Sequence, residues 1–320
     1  MFRLKLLVLF ITIFSVNSIS AQYTDLINSN RPGESMSAFS VGKTILQAEA
    51  GLYKIKENDP FLKYSIPGYG GDLVLRYGFL MEQLEFIGGI QYQTDKYTSQ
   101  FLNENRSGIR KLNLGAKYLL YDPYKNYEEK IDIYSYAANH KFKWKSLVPA
   151  VSLYAGMNFS SINSPFNAYQ DKSVSPKVML ITQNQFPGSN VFVTNIFYDK
   201  FGSSNPNLGY VVTYTKGFND HWSAFLENKG VTSKLYKDMF VTTGIAYLFD
   251  KSMQVDASIT TNIKDTPSLV FGGIGISWRF DKNYKEVRIK NTDRLKKDKN
   301  EKEKATVKKR LDEVKTTQKQ

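Results

Sequence analysis

The sequence predicts an all-β protein, an antiparallel transmembrane β-barrel of about twelve strands, give or take two. Three observations predict it. The chain opens with an export-type leader, it carries 21 Tyr, 21 Phe and 3 Trp in 320 residues despite a negative mean hydropathy, and its middle is a succession of alternating segments of strand length. Aromatic residues that girdle both interfaces, on strands alternating apolar with polar, are the composition of an outer-membrane barrel.

The leader comes first. Arg3 and Lys5 precede an apolar run over 6–16 and the small pair Ser20-Ala21, the three-part layout of a signal peptide, so residues 1–21 are expected to be removed. The run is too short to cross a bilayer as a helix, which takes about 20 apolar residues. The chain has no cysteine, hence no disulfide framework and no thiol for lipid attachment. A polar stretch, 22–43, follows and is read as a periplasmic segment or a plug.

The barrel is expected over 44–280, its strands at 44–55, 71–80, 82–93, 109–121, 146–159, 176–186, 190–200, 207–217, 221–229, 238–249, 253–262 and 268–280. Most have the roughly 9 to 13 residues that a tilted strand needs to span a membrane. Junctions 79–82, 187–189, 218–220 and 250–252 are tight and fall where periplasmic turns belong. Those at 56–70, 94–107 and 160–175 are longer and polar, as outer loops should be. Junction 122–145 breaks this order and is read as an insertion or small hairpin. The closing strand, SLVFGGIGISWRF, resembles the aromatic signal that barrels present to the assembly machinery.

With the apolar face of each strand toward lipid, the other face carries Glu49, Arg76, Glu85, Lys111, Lys117, Glu227, Lys229, Asp256 and Arg279. A Lys or Arg at the bilayer midplane on the lipid face would cost about 2–4 kcal/mol, so these side chains are expected to line the lumen. Their signs alternate from strand to strand, Glu49, Arg76, Glu85, Lys111 at one side and Asp256, Arg279, Glu49 across the closure. Such ladders would either brace a rigid barrel or line a passage for a small solute.

The formal charge is +13, but the last forty residues, 281–320, hold 15 Lys+Arg against 8 Asp+Glu. That tail is expected to be periplasmic, disordered or helical. Aromatics are almost absent from it, which excludes a single-strand nucleic-acid binder; the expected partners are outer-membrane lipids, the assembly machinery and a small solute. His140 and His221 are the two histidines. Asp220, His221 and Ser223 invite a hydrolase reading, but neighbouring strand residues point to opposite faces, so no catalytic residue is assigned. Neither metal-ligand spacing nor a phosphate loop is present, and no cofactor is expected.

The stretch INSNRPGESMSAFSVGKTILQAEAGL resembles the N-terminal signature of the meta-pathway of phenol degradation family of outer-membrane transporters. That family carries an Asp-Arg-Pro-like triplet, a Ser-Pro-Phe-Thr-Val-like stretch and a Gln-Leu-Glu strand. Here the matching positions are Asn30, Arg31 and Pro32, then 37–41, then Gln47-Ala48-Glu49; Asn30 replaces the acid and Ala38 the proline. HWSAFLENKG, residues 221–230, is similar to the family's late strand. The resemblance implies an outer-membrane β-barrel and solute transporter; the expected function is passive passage of a small solute through the outer membrane of a Gram-negative bacterium, and no enzymatic activity is expected. A structural or adhesive barrel is the alternative.

Overall fold

The computed structural model describes residues 27–124, 144–160, 164–166, 173–203, 205–234 and 236–281. The leader 1–21, His140 and most of the 122–145 junction lie outside them, as does the tail from residue 282. Two compact units divide the chain after Lys282; the barrel belongs to the first.

Twelve antiparallel strands close on themselves: β1 Leu46–Asp59, β2 Tyr64–Gly78, β3 Leu84–Thr98, β4 Asn103–Tyr121, β5 Ala150–Phe159, β6 Val174–Phe186, β7 Asn190–Asp199, β8 Asn207–Gly217, β9 Trp222–Thr232, β10 Lys237–Asp250, β11 Met253–Asn262 and β12 Ser268–Phe280. Each pairs with its sequence neighbours, and β1 closes against β12 from Leu46↔Phe280 to Asn58↔Ser268. Closure leaves no unpaired edge, which hydrocarbon would not tolerate. The expected class and strand number are both found.

Burial is inverted relative to a water-soluble protein. Leu52, Leu114, Leu226, Ile259 and Ile274 face outward and are more than half exposed, while Arg76, Glu85, Lys117 and Asn195 are completely buried on the inner face. Outer aromatics cluster beside the short turns: Trp222 lies 4.8 Å from Tyr247 and Tyr247 lies 4.9 Å from Phe249, and Trp278 stacks on Phe280 at 4.7 Å. Tyr69, Tyr92 and Tyr198 are exposed toward the opposite end. Two amphipathic belts at strand ends are what the headgroup layers select.

The stretches 56–70 and 94–107, expected as loops, are ladder instead. β1 and β2 stay paired out to Asp59↔Tyr64, and β3 and β4 out to Thr98↔Asn103. Their inner face stays closely packed, with Ile55 and Ile66 buried and Tyr64 stacked on Tyr97 at 5.5 Å. The outer face turns polar because water and headgroups replace lipid at that height, so apolar alternation fades while backbone pairing continues. A bulge opposite Gln91/Tyr92 leaves Arg110 unpaired in the β3–β4 register. Through it Arg110 donates to Gln93 inside the barrel, while its neighbour Lys111 reaches Glu34 there.

Candidate functional site: a segment bound inside the lumen

Residues 27–45 run through the barrel before β1 begins. The segment starts at the β10–β11 turn, where the Ile27 amide donates to the Lys251 carbonyl at 2.8 Å, and leaves beside β2, where the Thr44 amide donates to Gly78 at 2.9 Å. At that exit Gly42 takes a φ of 97°, and a side chain on Gly78 would collide with the Gly42 carbonyl. Glycine at both positions lets the two backbones pass.

A chain lying in a lumen has no strand partner for its amides and carbonyls, and leaving them unpaired would be costly. Inward side chains supply the partners. The Glu227 carboxylate accepts the amides of Glu34 at 2.9 Å and Ser35 at 3.2 Å. Asn195 clamps Met36, accepting from its amide at 2.6 Å and donating to its carbonyl at 3.0 Å. Gln183 accepts from the Ser37 hydroxyl and the Ala38 amide, at 2.9 and 3.0 Å. Ser152 donates to the Ala38 carbonyl, and the Lys117 ammonium donates to those of Ser37 and Phe39, each at 2.9 Å. Glu85 accepts from Val41 at 3.0 Å, and Arg279 donates to the Val41 carbonyl.

Behind these contacts lies a fully buried charge chain. Arg76 bridges Glu49 at 3.0 Å and Glu85 at 2.7 Å, and Glu85 also faces Lys117 at 3.3 Å. The register explains it, since Gln47 is opposite Arg76 and Glu85 opposite Lys117. Burying these ions would be unfavourable singly. As a chain, each charge has an opposite neighbour, and spare hydrogen-bonding capacity goes to the segment, Arg76 donating to the Asn28 carbonyl.

Arg31 occupies a purpose-shaped floor. One row of paired residues runs Asp72 on β2, Gly51 on β1, Gly275 on β12 and Asp256 on β11. The guanidinium lies on the two glycines, where any Cβ would strike it. It pairs with Asp72 on one side and faces Asp256 at 3.5 Å on the other. Small residues in the middle and acids at the ends fit a flat cation.

Nearer the centre, Glu34 reaches Lys229 at 2.6 Å and Lys111 at 3.9 Å, and its side chain is 44% exposed to the lumen. Lys111 first, then Lys229, hold its carboxyl well below the usual carboxylate range against the opposing effect of burial. Further along the segment lies an apolar wall: Tyr154, Met179, Ile181, Phe197 and Val211 are buried and pack with Ala38 and Phe39, with Met36 and Val231 at the margin.

Glu49, Arg76, Glu85, Lys117, Glu227, Asp256 and Arg279 are buried inside the barrel and Lys111 and Lys229 reach Glu34 of the segment, in a ladder that differs from the expected one. Glu85 pairs with Lys117, whereas Lys111 lies higher and meets Glu34. Asp256 is opposite Gly275 and faces Arg31, not Arg279, which lies further along β12 beside Gln47. The expected chain Asp256, Arg279, Glu49 is therefore replaced by Asp256, Arg31, Asp72, because the register staggers the acids from Arg279. Among the triplet residues, Asn30 donates its amide to Glu49 at 3.3 Å and accepts from the Ser37 amide at 3.0 Å. Choosing only charges missed Asn195, Gln183 and Ser152, although each falls on the inward parity of its strand.

His221 sits in the short β8–β9 turn, exposed and away from the lumen. Its Nδ1 lies 2.8 Å from the Leu248 carbonyl and its ring stacks on Tyr247 at 5.7 Å. Among the described residues no group of three or more His, Asp or Glu could hold a metal ion.

The profile of a protein family described as "Putative MetA-pathway of phenol degradation" matches residues 29–280. Among solved structures, an outer-membrane channel from Pseudomonas putida F1 superposes with a TM-score of 0.52 at 10% identity, covering 79% of this chain and 100% of the other. The translocator domain of the autotransporter NalP from Neisseria meningitidis gives 0.44 at 10% identity, over 74% and 89%. The monoaromatic hydrocarbon channel CymD gives 0.41 at 10% identity, over 74% and 89%. The first of these likenesses is one of fold. No protein with a curated description is significantly similar in sequence.

Proposed function

Since the chain belongs to the family whose profile spans both the inner segment and all twelve strands, we propose that it is a passive outer-membrane channel for a small solute, closed at rest by residues 27–45. The Gram-negative envelope is its setting, and it carries no catalytic role. The observation that carries this reading is the way the segment is held. Its backbone is bound by polar side chains of the lumen, including those of Asn195, Gln183, Lys117 and Glu85, and not by a strand ladder. Water entering the lumen can replace such bonds one by one, because an intramolecular hydrogen bond is worth only about 0.5–1.5 kcal/mol net, and about 1.5–3 kcal/mol where one partner is charged, as with Lys117 and Glu85. A segment so held can leave without unzipping the barrel.

Single-channel recording in planar bilayers tests this. The protein extracted from outer membranes should conduct rarely, and the same chain lacking residues 27–39 should show frequent, larger steps. The double variant Asn195→Ala with Gln183→Ala keeps the segment and should raise the opening frequency. If these variants are heat-modifiable on gels, and thus folded, yet all remain silent, the channel reading fails. A structural or adhesive barrel then becomes the better account, and the completely buried charge chain around Arg76 is what it would rest on.

A further inference from the structure

Three lysines of separate strands act on one carboxylate. Lys229 of β9 and Lys111 of β4 reach Glu34 from different parts of the wall, at 2.6 and 3.9 Å. Lys177 of β6 adds its field to the same group, and its ammonium lies 4.9 Å from the Phe197 ring centroid. Two other acids lie nearby, each with partners of its own. Glu227 is 1% exposed and takes the Glu34 and Ser35 amides and the Thr213 hydroxyl. Asp199, opposite Lys177 in the register, is that lysine's own counter-charge and also accepts from Asn158. Arg110 adds a further cation beside Lys111. Cations therefore predominate in the water-facing part of this cluster: Lys111 is 58% exposed and its counter-ion is Glu34.

Glu34 belongs to the removable segment, not to the wall. Two residues on, Met36 lies against the apolar cluster of Tyr154, Met179, Phe197 and Val211. A carboxylate on the lysines with an apolar group on that wall is the outline of a small amphipathic acid. Resting on the channel reading above, we propose that Lys111, Lys177 and Lys229 with the Phe197 wall form the solute-recognition site of the lumen, specific for small organic carboxylates with an apolar body, and that Glu34 and Met36 are a tethered occupant of it. A solute of that class competes with Glu34 for the lysines, so its binding weakens the hold on the segment, as any ligand of the open form must. Neutral or cationic solutes lack the charge that replaces Glu34, and leave the lysines unpaired.

Hexanoate, hexanol and hexylammonium probe this with one chain length and three charges. Titration calorimetry on detergent-solubilised protein, with circular dichroism to confirm folding, reads binding independently of conduction. Hexanoate should bind Glu34→Gln at least tenfold tighter than the parent, because the competitor is gone. Adding Lys111→Gln and Lys229→Gln to Glu34→Gln should abolish that gain, and neither of the other two probes should bind measurably. Lys111→Gln alone, at the most exposed of the sites, should weaken hexanoate severalfold where the triple variant does not fold. Equal hexanoate affinity with and without the lysines, no hexanoate binding to folded Glu34→Gln, or equal binding of hexylammonium would each overturn the proposal. A barrel that binds hexanoate in this way yet never conducts would keep the site and sink the channel reading; conduction with no charge preference would do the reverse.

Discussion

Replacing Arg31 by Ala should open the lumen. The guanidinium is the link between the segment and two acids of the wall, with side-chain exposures of 14% for Arg31, 25% for Asp72 and 0% for Asp256. With Arg31 gone and the segment still in place, Asp256 is left buried without its cation, and removing one partner of a buried pair costs about 3–5 kcal/mol. Leaving the lumen lets water reach both acids, so that cost falls on the closed form alone. Arg31 is itself partly exposed, which favours the lower figure; about 3 kcal/mol is roughly a hundredfold shift in the closed-to-open ratio. Open probability in planar bilayers is the assay, with Gly275→Ala as an independent route, since its methyl would displace the guanidinium tip. Adding Asp256→Asn to Arg31→Ala removes the stranded charge and should restore part of the closure, a coupling visible in a double-mutant cycle. An unchanged open probability in folded Arg31→Ala, or strictly additive effects in the cycle, would refute this reasoning.

Three further outcomes are expected. Glu85→Gln leaves Arg76 and Lys117 facing a neutral amide in a fully buried site and should lower barrel stability by about 3 kcal/mol or more, read as a reduced urea midpoint with unchanged slope. Leu226→Arg puts a charge on the lipid face of β9, where Leu226 is 56% exposed, and should cost about 2–4 kcal/mol of folding into vesicles if that position is at the midplane; the same change at Phe61 in the outer hairpin tip, 83% exposed, should be nearly neutral. The Glu34 carboxyl is depressed below its ordinary value of 4.5, so its hold on the lysines is complete above that value and is lost as pH falls through the depressed one. The difference in open probability between parent and Glu34→Gln should therefore stay constant from pH 7 to 5 and disappear only in stronger acid; a loss between 7 and 5 would contradict the ion pairing.

Strand number, closure and the inner face were legible because one physical rule governs them: lipid on one side of a pleated strand forces period-2 alternation, and a charge in that pattern must point inward. The rule weakens where lipid ends. The outer halves of β1 to β4 lost their apolar alternation in headgroups and water, so 56–70 and 94–107 read as loops although backbone pairing carries on. The rule is also silent on register. Lys111 and Lys117 share the inward parity of β4, and only the pairing of Glu85 with Lys117 decides which one closes the buried chain. Arg110 escapes the rule altogether, since a bulge changes parity without leaving a mark in composition. Asn195 and Gln183 were passed over for a different reason. Their importance comes from what they bind, a backbone with no strand partner, and no local pattern announces that.

The choice of polar side chains to hold the segment bears on what the barrel can do. Had residues 27–45 been added as a further strand, each residue would have been fixed by a cooperative ladder, and removal would have disrupted the closed sheet that the membrane requires. Had it been held by apolar packing alone, it would have filled the lumen with surface that water cannot wet. Instead Glu227, Asn195, Gln183, Ser152, Lys117 and Glu85 each carry one or two backbone groups, and water can satisfy every one of those groups when the segment departs. The largest apolar contact lies at Met36, Ala38 and Phe39 against the Phe197 and Tyr154 cluster, with Val41 and Ile45 buried nearer the exit, and among the described residues the only ion pairs to the segment are those of Arg31 and Glu34. Control of the lumen is therefore concentrated at a few positions, on which a solute or a single substitution can act while the twelve-stranded wall stays intact.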